Sequence, residues 1–245
     1  MSGIGIEHSV TNRFANQLQR ACKKNSLKAL TFHLNGQDTK ANADAIFSAL
    51  DKFLLIEFKS YEDGIKSENN KPRVYDLCHN LLINNEMTRS HRKGHFIMWG
   101  VEIGIILETK YTVYQDSVCR KSILNKSTSL SEPPIPTILD GEKLAKEVSE
   151  STAGIGLDDF LIYLKWLFSS KRSSNEIYDG PVSLIATSKW KYADGLIFKS
   201  FEDFEDWAKP TVIMLLNKRN NKKKKDDKKD DLKVDKNDRK KRRRI

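Results

Sequence analysis

The segment Asn42–Lys59, NADAIFSALDKFLLIEFK, constrains this chain more than any other. Asp44 opens one apolar run. Asp51 and Lys52 interrupt it, and a second run from Phe53 to Ile56 ends in Glu57-Phe58-Lys59. Successive side chains of a strand point to opposite faces, so Leu55, Glu57 and Lys59 share one face while Ile56 and Phe58 share the other. With a turn at Leu50-Asp51-Lys52 the runs pair as a hairpin, and Asp44 comes beside Glu57. Two carboxylates and an ammonium then meet at the edge of an apolar layer, where they are costly to desolvate unless a cation or a reaction uses them. Taken singly, an Asp at a strand start is a common turn residue, and alternating Glu and Lys often mark a solvated strand edge. The long apolar run before Glu57 and the elements around it favour the buried arrangement.

Those elements follow from periodicity. Val10, Phe14, Leu18 and Cys22 recur every four residues behind Ser9 and Thr11, either of which could cap, and predict an amphipathic helix over 10–24. A strand is expected over 27–34, a turn at Gly36-Gln37-Asp38, and the two motif strands near 42–48 and 53–59. A polar loop is expected over 62–72, a helix over 73–86, a strand over 95–101 and another over 111–118. Beyond a Ser/Pro linker at 127–136, helices are expected over 141–151 and 157–170, strands over 182–187 and 192–199, and a short acidic helix over 201–207.

The motif and this order, helix, three strands, helix, strand, resemble the PD-(D/E)XK nucleases, the restriction-endonuclease-like superfamily. Ala43 stands where the family's Pro is usual. The likeness covers roughly residues 5–100 and rests on Asp44, Glu57 and Lys59. It implies an α/β fold with a mixed central sheet flanked by helices and a nuclease-like core over 1–125. The elements expected beyond that core make an α+β extension over 137–217 that completes or packs on it, and composition sets off a tail over 218–245. It implies Mg²⁺- or Mn²⁺-dependent phosphodiester hydrolysis, in DNA rather than RNA, of the kind that serves phage defence, restriction or repair. Asp44 and Glu57 would ligate the metal, with the Phe58 carbonyl as a further donor, and Lys59 would stand beside the attacking water. The family often adds an acid from the first helix, yet 10–24 contains none. Glu7, just before that expected helix, is the nearest candidate ligand, and Asn16 or Gln17 could offer a neutral oxygen instead.

Charge bears on partners. The chain has 245 residues with 43 Lys and Arg against 33 Asp and Glu, a net charge of +10. Sixteen of the basic and six of the acidic residues fall in 218–245, so the first 217 residues balance at 27 of each. The excess sits in the tail, which has the composition of a disordered segment and would bind polyanions with strong salt dependence. It reads as a nucleic-acid tether or as a solubilising extension. Cys22, Cys78 and Cys119 are widely spaced and odd in number, and are expected as reduced thiols of an intracellular, cytoplasmic protein. The N-terminus lacks the pattern of a secretory signal, and no run approaches a membrane span.

Other motifs are weaker. His91 and His95 are four apart, but Gly94 and the strand expected from His95 argue against one helix face, and no third zinc ligand is near. Arg89, Arg92 and Lys93 could contact phosphate or simply face solvent. Gly154-Ile155-Gly156 lacks the remainder of a phosphate loop. Ile197–Asp203 echoes Glu57–Asp63 but has Ile197 in the place of Glu57. A silent nucleic-acid-binding protein of the same fold is the alternative reading, and an adaptor acting through Trp166, Trp190 and Trp207 is a third. A homodimer or a defence-system partner protein is compatible with any of them.

Overall fold

The computed structural model describes residues 4–34, 36–127, 129–169, 182–187 and 195–242, the part from 222 onward as backbone. Its centre is a mixed, mostly antiparallel sheet. Strands β1 (Ala29–His33), β2 (Ala45–Ala49) and β3 (Lys52–Lys59) form an antiparallel meander, with a short helix, α2 (Asp38–Ala41), between β1 and β2, and with Ala45 opposite Ile56 and Ala49 opposite Lys52 across the Leu50-Asp51 turn. Strand β4 (His95–Ile103) runs parallel to β3, with Leu55 beside His95 and Lys59 beside Trp99. A parallel neighbour needs a crossover. Here the crossover carries a 3-10 helix (Glu62–Asn70), α3 (Val74–Ile83) and α4 (Asn85–Gly94). Strand β5 (Ile106–Val113) closes a hairpin on β4, and β6 (Leu139–Asp140) adds to that edge.

The second half of the chain joins the same sheet. Strand β7 (Ile155–Gly156) pairs with the start of β3, β8 (Leu184–Thr187) pairs with β1, and β9 (Ile197–Phe198) pairs with β8.

Two apolar layers cover the faces. Helix α1 (Ile4–Lys24) turns Val10, Phe14, Leu18 and Cys22 onto one face and, with α6 (Gly141–Ser149), packs on Phe47, Leu54, Ile56 and Phe58. Gly100 permits this approach, since a Cβ there would lie 2.9 Å from Val10 and 3.0 Å from the Ser60 carbonyl. On the other face α3, α7 (Leu157–Phe168) and the start of α8 (Phe201–Arg242) cover Phe53, Leu55, Ile97 and Trp99. Phe53 stacks on Phe160 with ring centres 4.9 Å apart. Burial of one such ring stabilises by about 1.5–3 kcal/mol.

Several expected boundaries move. Helix α1 starts at Ile4, so Glu7 lies inside it; Ser9 and Thr11 do not cap it but donate back to the carbonyls of Gly5 and Glu7. The helix expected over 73–86 is two helices, because the Asn84 side chain accepts from the Met87 N–H and starts α4. The strand expected over 111–118 begins earlier, at Ile106, where it continues the β4 hairpin; Tyr114–Val118 is a short helix, α5. The segment 62–72 is mostly 3-10 helix rather than open loop. The acidic helix of 201–207 continues as α8 to Arg242, through the stretch read as disordered; its Lys, Arg and Asp residues are unbroken there by Gly or Pro. Of the strand expected over 192–199, residues 192–194 lie outside the described residues. Among the described residues, no helix is long and apolar enough to cross a membrane.

The cysteine expectation is corrected. Cys78 on α3 and Cys119 just after α5 form a disulfide, with Cα atoms 5.2 Å apart, and Cys22 alone is free and buried. Their sequence separation of 41 hid the pairing, since spacing alone does not report which elements pack together. The denatured, unreduced chain is expected to titrate one thiol, and three after reduction. Reduction should lower stability by about 4 kcal/mol on loop-closure grounds. Three thiols without reductant would show that the bond does not form.

Candidate active site

The end of β3 places Glu57 and Lys59 on the face that carries Leu55, 2% and 7% exposed respectively. Asp44 stands one residue before β2. Its N–H donates to the Ile56 carbonyl at 2.9 Å, and its Oδ2 accepts from the Phe58 N–H at 2.5 Å. The hairpin therefore brings Asp44 to the end of β3 that bears Glu57. Lys59 Nζ donates to Glu57 Oε1 at 2.5 Å. Ile56 and Phe58 enter the opposite layer, as strand alternation requires.

Two residues that sequence reasoning missed complete the cluster. The 3-10 helix folds back over the end of β3, with Gly64 lying on the Lys59 stem. It carries Glu68 into a fully buried position, where Oε2 accepts from the Tyr114 hydroxyl at 2.5 Å and Oε1 lies 2.7 Å from Lys59 Nζ. Lys71, just beyond that helix, sets its Nζ 2.6 Å from Glu57 Oε1 and 3.2 Å from Glu68 Oε1. Both ammoniums thus bridge the same two carboxylates. Glu57 Oε2 is buried with no hydrogen-bond partner among the described residues.

Burial pushes the Asp44 carboxyl up to about 6; the Phe58 N–H, Lys71 and Lys59 oppose that rise, and Glu7 adds to it. Burial and the neighbouring Glu57 raise the Glu68 carboxyl despite its two lysines. Burial alone would depress the Lys59 and Lys71 ammoniums, but the carboxylates of Glu57 and Glu68 outweigh it and hold both above their ordinary value. Lys59 therefore remains a cation at neutral pH. It can donate hydrogen bonds and offset negative charge, but it cannot accept a proton.

A second buried network supports the Asp44 side. His91 lies on α4 and His95 opens β4, both without exposure. Their Nδ1 atoms meet the Tyr163 hydroxyl at 2.6 and 2.8 Å. His95 Nε2 lies 2.9 Å from the Asn42 carbonyl, and His91 Nε2 accepts from the Gln115 N–H at 3.1 Å. With neutral rings the protons fall in one order: His91 Nδ1–H donates to Tyr163, Tyr163 donates to His95 Nδ1, and His95 Nε2–H donates to Asn42. Both Nδ1 atoms serve one hydroxyl, so the pair is not a zinc site. Asn42 is held in the left-handed region at φ 50°, a conformation Asn tolerates, two residues before Asp44. Tyr114, packed on His95 at 4.7 Å, links this network to Glu68.

The remaining candidates divide. Glu7 on α1 is close enough for its charge to act on Asp44. Gln17 is buried, and its amide oxygen accepts from Thr109; Asn16 is exposed. Arg92 pairs with Asp116, while Arg89 and Lys93 face solvent. The echo at Ile197 builds no site: Ile197 is exposed, and Ser200 with Asp203 forms a reciprocal cap at the start of α8. Carboxylate oxygens are the donor chemistry that Mg²⁺ takes. Among the described residues, however, no three acidic, His or Cys side chains form a ready cage for an ion. Lys59 and Lys71 hold the acids instead.

Tyr163→Phe should lower unfolding free energy by about 1–3 kcal/mol, because two buried imidazole nitrogens lose their shared hydroxyl. Denaturant unfolding measures this, and a variant as stable as the parent would mean that the hydroxyl is not central to holding Asn42.

No protein-family model matches this chain, and neither a curated protein nor a solved structure matches it.

Proposed function

We propose that the chain is a divalent-metal-dependent nuclease of the PD-(D/E)XK type that hydrolyses phosphodiester bonds, with DNA as the favoured substrate. The observation that carries this reading is the convergence of Asp44, Glu57 and Lys59 at the end of β3, with a buried oxygen of Glu57 left without a hydrogen-bond partner among the described residues. The meander β1–β3 with β4 parallel to β3 supports the restriction-endonuclease-like core.

Asp44 and Glu57 would hold the Mg²⁺ or Mn²⁺, with Glu7 as an outlying acid. Bound there, the ion supplies an activated water and neutralises phosphate charge. Lys59 orients that water and stabilises charge developing on the phosphate, as a preorganised donor in a site largely closed to solvent. Asp44, with a carboxyl at about 6, is ionised and able to ligate at neutral pH. Host defence, restriction and repair are the settings that suit such an activity.

A second reading draws on the two lysines that already neutralise the acids. On that reading the chain is a catalytically silent nucleic-acid binder. Incubation of the full chain with Mg²⁺ or Mn²⁺ and plasmid, linear and single-stranded DNA separates the two. The parent should cut. Glu57→Ala and Lys59→Ala should each lose about a hundredfold or more while still binding. Cutting that survives both substitutions would reject the site; tight binding without cutting by the parent would favour the silent reading.

The tail is assigned the non-specific hold on nucleic acid. Removing 218–245, with its 16 basic residues, should weaken binding and flatten its dependence on salt while leaving turnover intact. Unchanged affinity would exclude the tether.

A further inference from the structure

The geometry points to Lys71 as a resident counter-ion that a divalent cation displaces, with Glu68 as an additional ligand of that cation. This rests on the metal-dependent reading above and deepens it.

Glu57 Oε1 and Glu68 Oε1 are bridged twice, by Lys59 at 2.5 and 2.7 Å and by Lys71 at 2.6 and 3.2 Å. A cation shared by two carboxylate oxygens from different elements occupies the position a hard divalent ion would take. The independent sign that this place can hold more than an ammonium is Glu57 Oε2. Among the described residues it is buried without a hydrogen bond, on a side chain 2% exposed, and an ammonium already engaged by two Oε1 atoms does not satisfy it.

The charges favour the exchange. Asp44, Glu57 and Glu68 offer three negative charges against two ammoniums. A divalent ion in place of Lys71 brings the set to zero, whereas adding the ion to both lysines would leave an excess positive charge in a poorly solvated place.

The two lysines differ in their freedom to leave. Lys59 is anchored within β3, its stem lies under Gly64, and its side chain is 9% exposed. Lys71 follows the last turn of the 3-10 helix and is the most exposed of the four groups at 15%. It can swing outward without disturbing the sheet. Glu68 stays in place, since Tyr114 holds its second oxygen and the Lys59 ammonium its first.

The test is calorimetric titration of the full chain with Mn²⁺ alone, with no nucleic acid present. Lys71→Met keeps the stem and removes the charge, and should bind Mn²⁺ about tenfold more tightly than the parent. Glu68→Gln should bind it about tenfold more weakly. Lys66→Met, an exposed change on the same segment, should leave the affinity as it is. Circular dichroism of each metal-free variant checks that the fold is kept. If Lys71→Met misfolds, Lys71→Gln replaces it under the same expectation. No tightening on removing the Lys71 charge, or no loss with Glu68→Gln, overturns the inference. Affinities that follow this pattern in a chain that cuts no DNA would sustain the cation site and sink the nuclease reading. Cleavage by the parent with Lys71→Met affinity unchanged would do the reverse.

Discussion

A carboxylate withdrawn from water at the end of an apolar strand must find compensating charge, and the architecture around β3 answers that demand for Glu57. An unpaired charge in such a place costs several kcal/mol. Lys59 offsets part of it from the same strand, Lys71 offsets more from the crossover, and Glu68 balances the two ammoniums. The 3-10 helix closes because these groups close it: its interior presents only Ile65 and Glu68 as buried residues, too little apolar surface to fix nine residues by itself. A well-packed apolar set would hold the same elements together as firmly or better. The ionic ring is therefore weak as a device for stability alone, and its expense is easier to understand where a cation exchanges into it.

The part of the site legible in sequence was the part carried by strand period. Glu57 and Lys59 sit on a strand whose alternation is strict, Asp44 stands one residue before the strand paired with it, and the hairpin turn fixed their register. Glu68 and Lys71 were not legible, since a 3-10 segment rich in Glu, Lys and Asn shows no apolar repeat and reads as solvated loop. The signal that could have found them is electrostatic: a buried Glu-x-Lys end needs further charges, and Glu68 and Lys71 lie in the crossover that leaves that end. The same contrast runs through the fold. The helix face of Val10, Phe14, Leu18 and Cys22 was plain in the spacing, as was the buried β4. The break at Asn84 and the early start of β5 depended on a cap and on a hairpin partner, which are local chemistry and pairing rather than period. The Cys78–Cys119 bond and the His91–Tyr163–His95 network join residues 41 to 72 positions apart, beyond the reach of any window along the chain.

Those long connections explain what the second half contributes. It carries no acid of the cluster, yet α7 supplies Tyr163, whose hydroxyl ties α4 to β4 and, through His95, to the Asn42 carbonyl ahead of Asp44. Arg73, within the crossover at the start of α3, reaches the carbonyls at the end of α7, at Phe168 and Ser169. Strand β7 extends the sheet at the start of β3, and the Phe53–Phe160 stack binds the two halves through one core. The extension is thus part of the support for Asp44. A piece ending near residue 125 would keep the three motif residues and lose what positions the first of them.

The distribution of charge then separates two tasks. The first 217 residues are balanced, and within them the acid cluster is itself nearly neutral, so the body has little net attraction for a polyanion. The attraction resides on α8 beyond the last turns that pack on the core through Val212 and Leu216. From residue 222 to Arg242 that helix adds about 30 Å of backbone at 1.5 Å per residue. As the proposed tether, a cationic rod of this kind would raise the local concentration of nucleic acid without selecting a sequence, because phosphate contacts position but do not specify. On the proposed nuclease reading, selection of the bond to be cut would fall to the neutral body, where shape and the charges around Glu57 would decide which phosphate can approach.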